Sequence, residues 1–377
     1  MVILEGEIGN FIVSGNRKYS YFAGNNYLGL ATHPLVKEAA VKAVEQFGTG
    51  FSASRQTTGT SLLHLELEKE LSEFKQQDDS VIFASGFLGN RILMEVLRNK
   101  YSSVFIDQGA HPSTIYAIPG DVNHIYGYSH CDPADLEAKL EENAAGIPII
   151  ITDGVFALTG EIAPLDRIYD LALRYKGMLI VDDAHSTGIL GENGRGTPEY
   201  FGIEGAKGIW QSETMSKALG SYGGFISSDP DIVSQIRDSS VIYRASTALP
   251  PPVVAAGIAS LRIIRENPGI RTELAAKAGF LRKGIISLGF HSSEGITPII
   301  PVFEDYPGEA RNLSAFLEQN GIIVPAINYP GMGSNLMLRI TVSVLHEYEQ
   351  IEMLLENLRN WKNRNEKTSR SEVPQGG

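Results

Sequence analysis

The sequence has little cysteine, no excess of basic residues and no long apolar run. Its single cysteine, Cys131, excludes an internal disulfide framework and a zinc site built from several cysteines. Lysine and arginine number 32 against 44 acidic residues, a net charge of −12, and no basic block interrupts this excess. Nucleic acid and anionic membranes are therefore poor candidate partners.

Signals for export or membrane insertion are also missing from the sequence. No apolar segment approaches the roughly 18 residues that a membrane-spanning helix needs. The first residues, MVILEGEIGN, lack the basic start of a secretory signal and reach an acidic residue at Glu5. We therefore expect a cytoplasmic protein.

The length and composition suit one large domain and one smaller domain. The chain has 377 residues, of which 43% are hydrophobic, so a sizeable core is available. We expect an N-terminal arm over residues 1–24, a large domain over 25–266 and a small α+β domain over 267–361. Residues 362–377 lack apolar periodicity, and we expect them to be disordered.

Short apolar runs alternate with helical patterns in the middle of the chain. The runs cover residues 81–84, 103–106, 147–151 and 178–181. Continuous apolar runs between helices are typical of buried strands in a mostly parallel sheet. Ligands of such sheets lie beyond the carboxyl ends of the strands, so the polar residues after each run are candidate site residues. Helices are expected over residues 34–47, 62–74, 253–265 and 347–361, and further strands over 298–303 and 336–342.

Lys217 is flanked by small hydroxyl residues in the segment TMSKALGSYGG. A lysine in such a loop could form a Schiff base with an aldehyde cofactor, and hydroxyls such as those of Thr214 and Ser216 could hold the cofactor's phosphate. The general alternative is a surface lysine without a special role.

Asp182 and His185 follow the run 178–181 in the segment DDAHS. An acid at this strand end could pair with a protonated pyridine nitrogen, and His185 could contact the ring or its phenolate oxygen. A helix cap formed by Asp182 or Asp183, or metal binding, is the alternative for these acids.

Two further strand ends carry weaker signals. The segment SGFLGN contains Gly86, where the backbone can approach a phosphate. His111, four residues beyond a strand end, could stack on a flat ring or be an ordinary half-buried histidine. In chain order, a phosphate turn, a ring stacker, an acid and a lysine are the residue types that a pyridoxal phosphate site needs.

The sequence resembles the α-oxoamine synthases, pyridoxal-phosphate enzymes of fold type I that are related to aspartate aminotransferase. The match extends from about residue 21 to about residue 358 and includes NNYLGL at Asn25, DQGAHPS at Asp107, DGVFALTGEIAPL at Asp153, VDDAHSTGILGENGRG at Val181 and TMSKALGSYGG at Thr214. The resemblance implies an α/β fold with a mostly parallel central sheet in the large domain and a smaller α+β C-terminal domain.

The resemblance also implies roles for individual residues. It makes Lys217 the lysine that binds the cofactor covalently, Asp182 the partner of the ring nitrogen and His111 the ring stacker, with His185 near the substrate. The further cofactor residues that it implies are Gly86, Phe87, Thr214 and, from the partner subunit of a homodimer, Thr247. Asn25 and Arg339 match residues near the amino-acid substrate, whose carboxylate Arg339 would bind.

The implied reaction is a decarboxylative condensation of an amino acid with an acyl-CoA thioester, which yields an α-amino ketone, CoA and carbon dioxide. The amino acid could be alanine, glycine or serine, and the donor could be carried by CoA or by a carrier protein. The segments QFGTGFSASRQTTG and TDGVF most resemble the branch that joins alanine to a dicarboxylic acyl-CoA in biotin synthesis. The alternatives are an aminotransferase or aldolase-type reaction on the same fold, and a non-catalytic partner subunit.

The sequence departs from the family pattern at several positions. Ala157 replaces a serine, Cys131 replaces an asparagine, and Met337 stands where some members carry an arginine. Residues 331–335 replace a loop rich in proline and valine, and the stretch before Tyr21 is short. None of these positions belongs to the lysine–aspartate–histidine centre, so the departures concern the acyl donor.

Overall fold

The computed structural model describes residues 2–143, 146–303, 308–327 and 336–371, with side chains up to residue 364. Two compact units divide the chain. The first unit comprises Met1–Tyr27, Leu158–Glu161 and Thr272–Gly377, and the second unit comprises Leu28–Ala157 and Ile162–Arg271. The second unit covers nearly the same residues as the predicted large domain, whose limits stay predictions.

The strands are numbered in chain order. They are β1 (Phe11–Ser14), β2 (Arg17–Tyr21), β3 (Asp79–Phe83), β4 (Ser103–Asp107), β5 (Ile125–Tyr128), β6 (Pro148–Asp153), β7 (Met178–Asp182), β8 (Ile209–Thr214), β9 (Gly224–Ser228), β10 (Ile299–Phe303), β11 (Ile322–Ile323), β12 (Ala326–Ile327) and β13 (Met337–Thr341).

The helices are numbered in the same way. They are α1 (Pro34–Phe47), α2 (Leu62–Lys75), α3 (Gly89–Val96), α4 (Pro112–Ala117), α5 (Pro133–Asn143), α6 (Leu165–Arg174), α7 (Thr197–Tyr200), α8 (Pro230–Ser239), α9 (Val241–Ala245), α10 (Pro251–Glu266), α11 (Gly269–Ser287), α12 (Glu309–Gln319) and α13 (Tyr348–Ser371). Within the described part of the chain, no helix has both the length and the apolar character needed to cross a bilayer.

Among the described residues, the second unit is built on a seven-stranded sheet with the order β3-β9-β8-β7-β6-β4-β5. Strands β8, β7, β6, β4 and β5 pair in parallel, whereas β9 pairs antiparallel with both β3 and β8. The predicted mostly parallel central sheet is therefore confirmed.

The central strands are apolar on both faces because side chains from both faces enter a core. All residues of β4, β6 and β7 are buried. Along β6, Ile149 and Ile151 belong to one apolar cluster, while Ile150 belongs to another. Successive side chains of a strand point to opposite faces, so the continuous apolar runs reflect a sheet that is buried on both sides.

The first unit contains two three-stranded sheets among its described residues. In one, β1 pairs with β2 and β2 pairs in parallel with β11. In the other, β13 pairs antiparallel with both β10 and β12. The predicted strands over 298–303 and 336–342 correspond to β10 and β13.

The last helix is longer than the sequence pattern indicated. Helix α13 continues through residues 362–371, which we expected to be disordered. No proline or glycine occurs from residue 362 to residue 373, so nothing in the backbone chemistry stops the helix before Pro374. Residues 372–377 lie outside the described residues.

Candidate active site

Asp182 ends β7 and is almost completely buried, with 7% of its surface exposed. Its Oδ1 accepts a 3.2 Å hydrogen bond from the backbone N–H of Ala184. Its Oδ2 accepts a 2.7 Å bond from Nδ2 of Asn90, and the hydroxyls of Ser113 and Thr114 lie 3.4 and 3.5 Å from the same oxygen. The hydrogen-bond donors to this carboxylate, from Ala184, Asn90, Ser113 and Thr114, are all neutral. A buried carboxylate held only by neutral donors suits a cationic ligand.

Asn90 and Thr114 are site residues that the sequence pattern did not reveal. Asn90 has no exposed surface, and its Nδ2 donates to Oγ1 of Thr114 at 3.1 Å as well as to Asp182. Oδ1 of Asn90 is buried and has no hydrogen-bond partner among the residues that the structure describes. The signal in the sequence was an amide in the first turn of the helix that follows a strand end.

Asp183 has a structural role, although it is fully buried beside Asp182. Its carboxylate accepts hydrogen bonds from the backbone N–H of Thr197 at 2.9 Å and from its hydroxyl at 2.6 Å. Nε2 of Gln211 donates at 2.6 Å, and the hydroxyl of Ser186 donates as well. These donors saturate Asp183, so Asp182 is the acid with capacity for a ligand.

His111 is the N-cap residue of α4. Its Nδ1 lies 2.7 Å from Oγ of Ser113, and its backbone N–H donates to both carboxylate oxygens of Asp153 at 3.2 Å. Burial lowers the pKa of His111; Asp182 opposes this shift and Lys217 adds to it. The imidazole is therefore neutral at pH 7, which suits an aromatic stacking role.

Asp153 ends β6 and lies opposite Asp182 in the strand register. Burial raises the pKa of Asp153 well above its ordinary value, and the Asp182 carboxylate raises it further, while the N–H of His111 opposes the shift. Two buried carboxyl groups side by side cannot both ionise easily. The raised pKa of Asp153 favours the protonated form of this carboxyl group.

Lys217 lies half-buried in the loop that follows β8. Its charge acts on both His111 and Asp153, which belong to other strand ends of the same sheet. His185, three residues beyond the end of β7, is 7% exposed. The strand ends of the second unit thus bring together the predicted lysine, acid and ring stacker.

Gly86 and Thr214 are in close contact at the ends of β3 and β8. A Cβ atom on Gly86 would lie 2.5 Å from Cβ of Thr214, so a larger residue would force the two segments apart. Oγ1 of Thr214 lies 2.9 Å from Oγ of Ser216. The N–H of Phe87, a residue with 51% of its surface exposed, donates to Oγ of Ser85 at 3.3 Å. Backbone donors and hydroxyls at such a turn are suited to hold a phosphate.

Asp107 organises the loop after β4. Its Oδ1 accepts a 2.7 Å bond from the N–H of Gly109 and lies 2.8 Å from Nδ1 of His130, and its Oδ2 accepts a 2.9 Å bond from the N–H of Cys131. The His130 ring packs edge-on against Phe156. Possible metal-ligand atoms of Asp107, His130 and Cys131 lie within 4.8 Å of one another. These hydrogen bonds occupy the Asp107 carboxylate. The expectation from the sequence that the protein binds no metal stays a prediction.

Thr247 is exposed in a loop that forms an isolated β-bridge with Ser54. The buried His64 connects these loops, since its Nδ1 lies 2.8 Å from Oγ of Ser61 and its Nε2 lies 2.9 Å from the carbonyl oxygen of Leu249. Burial lowers the pKa of His64 to about 4. The neutral histidine therefore fixes the loop that presents Thr247 to solvent.

Asn25 and Arg339 lie together within the first unit. Nη2 of Arg339 donates to Oδ1 of Asn25 at 3.0 Å, and its Nη1 donates to Oγ1 of Thr341 at 2.9 Å. The hydroxyl of Tyr27 donates to the same Asn25 oxygen at 3.1 Å. Burial raises the pKa of Tyr27 to about 12, so the phenol stays a neutral donor. The guanidinium is fixed from two sides.

The departures from the family pattern have different structural settings. Met337 begins β13, is 5% exposed and pairs with Phe303 and Ile327, so it has a packing role. Ala157 ends a segment of the second unit, directly before Leu158–Glu161 of the first unit. Residues 331–335 lie outside the described residues.

The chain matches the family described as Aminotransferase class I and II over residues 18–358. It is similar to a putative 8-amino-7-oxononanoate synthase of Acetivibrio thermocellus, with 40% identity over 351 residues that cover 93% of this chain and 90% of the relative. The 8-amino-7-oxononanoate synthase of Lysinibacillus sphaericus is 36% identical, with coverages of 92% and 90%. A solved serine palmitoyltransferase from S. paucimobilis with bound PLP–myriocin aldimine has a TM-score of 0.90 and 26% identity, with coverages of 96% and 92%.

These matches confirm the predicted resemblance to the α-oxoamine synthases, because the relatives and the solved structure carry the names of members of that group. The close structural match also confirms the fold of the aspartate aminotransferase type. The chain belongs to the class I and II aminotransferase family.

Proposed function

We propose that this chain is an 8-amino-7-oxononanoate synthase, a pyridoxal-phosphate-dependent acyltransferase that joins alanine to a pimeloyl thioester with loss of carbon dioxide. The observation that carries the proposal is the buried Asp182 carboxylate, which accepts hydrogen bonds from Asn90 and Ala184, in the same unit as Lys217 and His111. The curated relatives at 36% and 40% identity support the choice of reaction.

The residues of the second unit fit pyridoxal phosphate. A protonated pyridine nitrogen would pair with the buried Asp182 carboxylate. The close contact of Gly86 with Thr214 supports a phosphate site at that turn, and Lys217 offers the amine that binds the aldehyde. The bound cofactor supplies an electron sink for the carbon atom from which a proton is removed.

The protein's own groups would bind the substrate and move its proton. Arg339 would bind the amino acid's carboxylate through two parallel hydrogen bonds, and its contacts with Asn25 and Thr341 keep the guanidinium in one orientation. Lys217, once released from the cofactor, would accept the proton from Cα. His185 would hydrogen-bond near the cofactor oxygen, as the family resemblance implies.

A homodimer with shared active sites is part of the proposal. The resemblance implies that Thr247 of one copy reaches the phosphate in the other. The exposure of Thr247 on a loop held by the buried His64 supports this role. A Thr247→Val variant should weaken cofactor binding without changing the oligomeric state, as measured by titration and light scattering. Unchanged cofactor binding would contradict the assignment of Thr247.

A thiol-release assay tests the reaction. The cofactor-loaded protein is offered alanine, glycine or serine together with acetyl-, pimeloyl- or palmitoyl-CoA. We expect release of free CoA with alanine and pimeloyl-CoA, and none from Lys217→Ala. Release with a different pair would correct the substrate. The absence of release with every pair, despite bound cofactor, would instead favour a carrier-protein donor or transamination.

A further inference from the structure

The hydrogen bond from Asn90 to Asp182 points to a further residue of the site. We propose that Asn90 is the positioning residue for the ring-nitrogen acid: its hydrogen bond holds the Asp182 carboxylate in the orientation that meets the pyridine nitrogen of the cofactor. This inference rests on the proposed function, because it requires the pyridoxal phosphate site.

The geometry makes Asn90 the principal donor to Asp182. Its bond to Oδ2 measures 2.7 Å, whereas the other donors lie 3.2 to 3.5 Å from the carboxylate oxygens. The second donor position of the Asn90 amide is occupied by Thr114 at 3.1 Å. If the amide group were flipped by 180°, its oxygen would lie 2.7 Å from Oδ2 of Asp182, and the two oxygens would repel each other. The amide is therefore held as a donor.

The backbone fixes the place of this amide. Asn90 follows Gly89, the first residue of α3, and a Cβ atom on Gly89 would lie 2.2 Å from Oγ of Ser212. Ser212 is also the register partner of Asp182 in the neighbouring strand. The start of α3 thus lies tightly against β8, next to the strand that ends with the acid.

An asparagine meets the electrostatic requirement better than a charged residue would. A lysine or arginine at this position would neutralise Asp182 and remove its attraction for a cationic ring, and a second acid would repel it. A neutral N–H donor stabilises the ionised form of Asp182 but leaves its charge available.

The test compares two ligands that differ only at the ring nitrogen. Dissociation constants of pyridoxal phosphate and of its 1-deaza analogue, which has carbon in place of that nitrogen, are measured by absorbance titration of the full-length cofactor-free protein. Asn90→Leu should weaken pyridoxal phosphate binding by about tenfold and change deaza-analogue binding by less than about threefold. Asn267→Leu, which removes an amide that donates to the Ile263 carbonyl in the same unit, is the control and should affect neither ligand.

A second variant covers the case in which Asn90→Leu does not fold. Asn90→Asp keeps the shape of the side chain and should bind pyridoxal phosphate more weakly at pH 8.5 than at pH 6, because only its protonated carboxyl can donate to Asp182. Equal losses for both ligands, or wild-type affinity and pH dependence in both variants, would overturn the inference. Thiol release by the wild-type protein tests the proposed function separately.

Discussion

The ion pair between Lys75 and Glu213 allows a quantitative prediction. The two side chains are 1% and 0% exposed, and Nζ lies 2.5 Å from Oε1. Lys75 also donates to the carbonyl oxygen of Arg195, and the hydroxyl of Thr187 donates to the same Oε1 at 2.7 Å. Oε2 of Glu213 is buried and has no hydrogen-bond partner in the described part of the chain. Each charge therefore depends on the other for most of its stabilisation.

Removing one member should cost more than removing both. Glu213→Leu leaves a buried ammonium group with little besides the carbonyl oxygen of Arg195, at a cost of about 3–5 kcal/mol in the free energy of unfolding. Lys75→Met leaves a buried carboxylate at a similar cost near pH 8. The double variant Lys75→Met/Glu213→Leu buries neither charge, and its main loss is the acceptor of Thr187, about 1–3 kcal/mol.

The assay is urea unfolding at a fixed concentration of pyridoxal phosphate, since a bound ligand shifts stability. Trp210 lies on β8 three residues before Glu213, so a Trp361→Phe background leaves one fluorescence reporter in the second unit. Lys42→Met, which breaks the exposed pair with Glu38, is the control and should leave the midpoint of urea unfolding nearly unchanged.

The pH dependence of the same variants has a defined sign. Burial raises the pKa of Glu213, and Lys75 opposes this shift. Without Lys75 the carboxyl takes up a proton at higher pH, so the deficit of Lys75→Met should shrink between pH 8 and pH 5. A double variant whose loss equals the sum of the single losses, or single losses below about 1 kcal/mol, would refute the reasoning.

Three further predictions follow from the same contacts. Burial lowers the pKa of His346 to about 4, so the folded state binds a proton there more weakly than the unfolded chain does. The contribution of His346 to stability in urea should therefore fall by about 2 kcal/mol from pH 7.5 to pH 5. A His346→Gln variant that keeps the wild-type pH slope would contradict this. Because the pKa of Asp153 is raised, the contribution of this residue to stability becomes less favourable as pH rises. In thermal unfolding at pH 8 without cofactor, Asp153→Asn should therefore be at least as stable as the wild type. A lower unfolding midpoint for the variant would argue against a protonated Asp153. Gly86→Ala should weaken pyridoxal phosphate binding about tenfold or more, because the alanine Cβ would lie 2.5 Å from Cβ of Thr214. The control Gly120→Ala, where the added Cβ meets open space, should bind the cofactor as the wild type does. Equal titration curves for the two variants would disprove the close contact.

Local patterns were sufficient to locate much of the candidate site. The continuous apolar runs predicted buried parallel strands, and the rule that such strands end at one edge of a sheet singled out Asp182, His111 and Lys217. The structure confirms the parallel strands and brings these residues into one unit. Apolar periodicity locates the strands, and chain order then gives the residues at their ends. Both are local features that can be read from the sequence.

The choice of partners was decided only by the tertiary structure. The strand-end rule favoured Asp182, but the sequence could not show what engages Asp183, because its donors, such as Thr197 and Gln211, come from other parts of the chain. Lys75 and Glu213 are 138 positions apart, and no local pattern links them. Periodicity predicts which face a side chain is on, but which group meets it there depends on how distant elements pack.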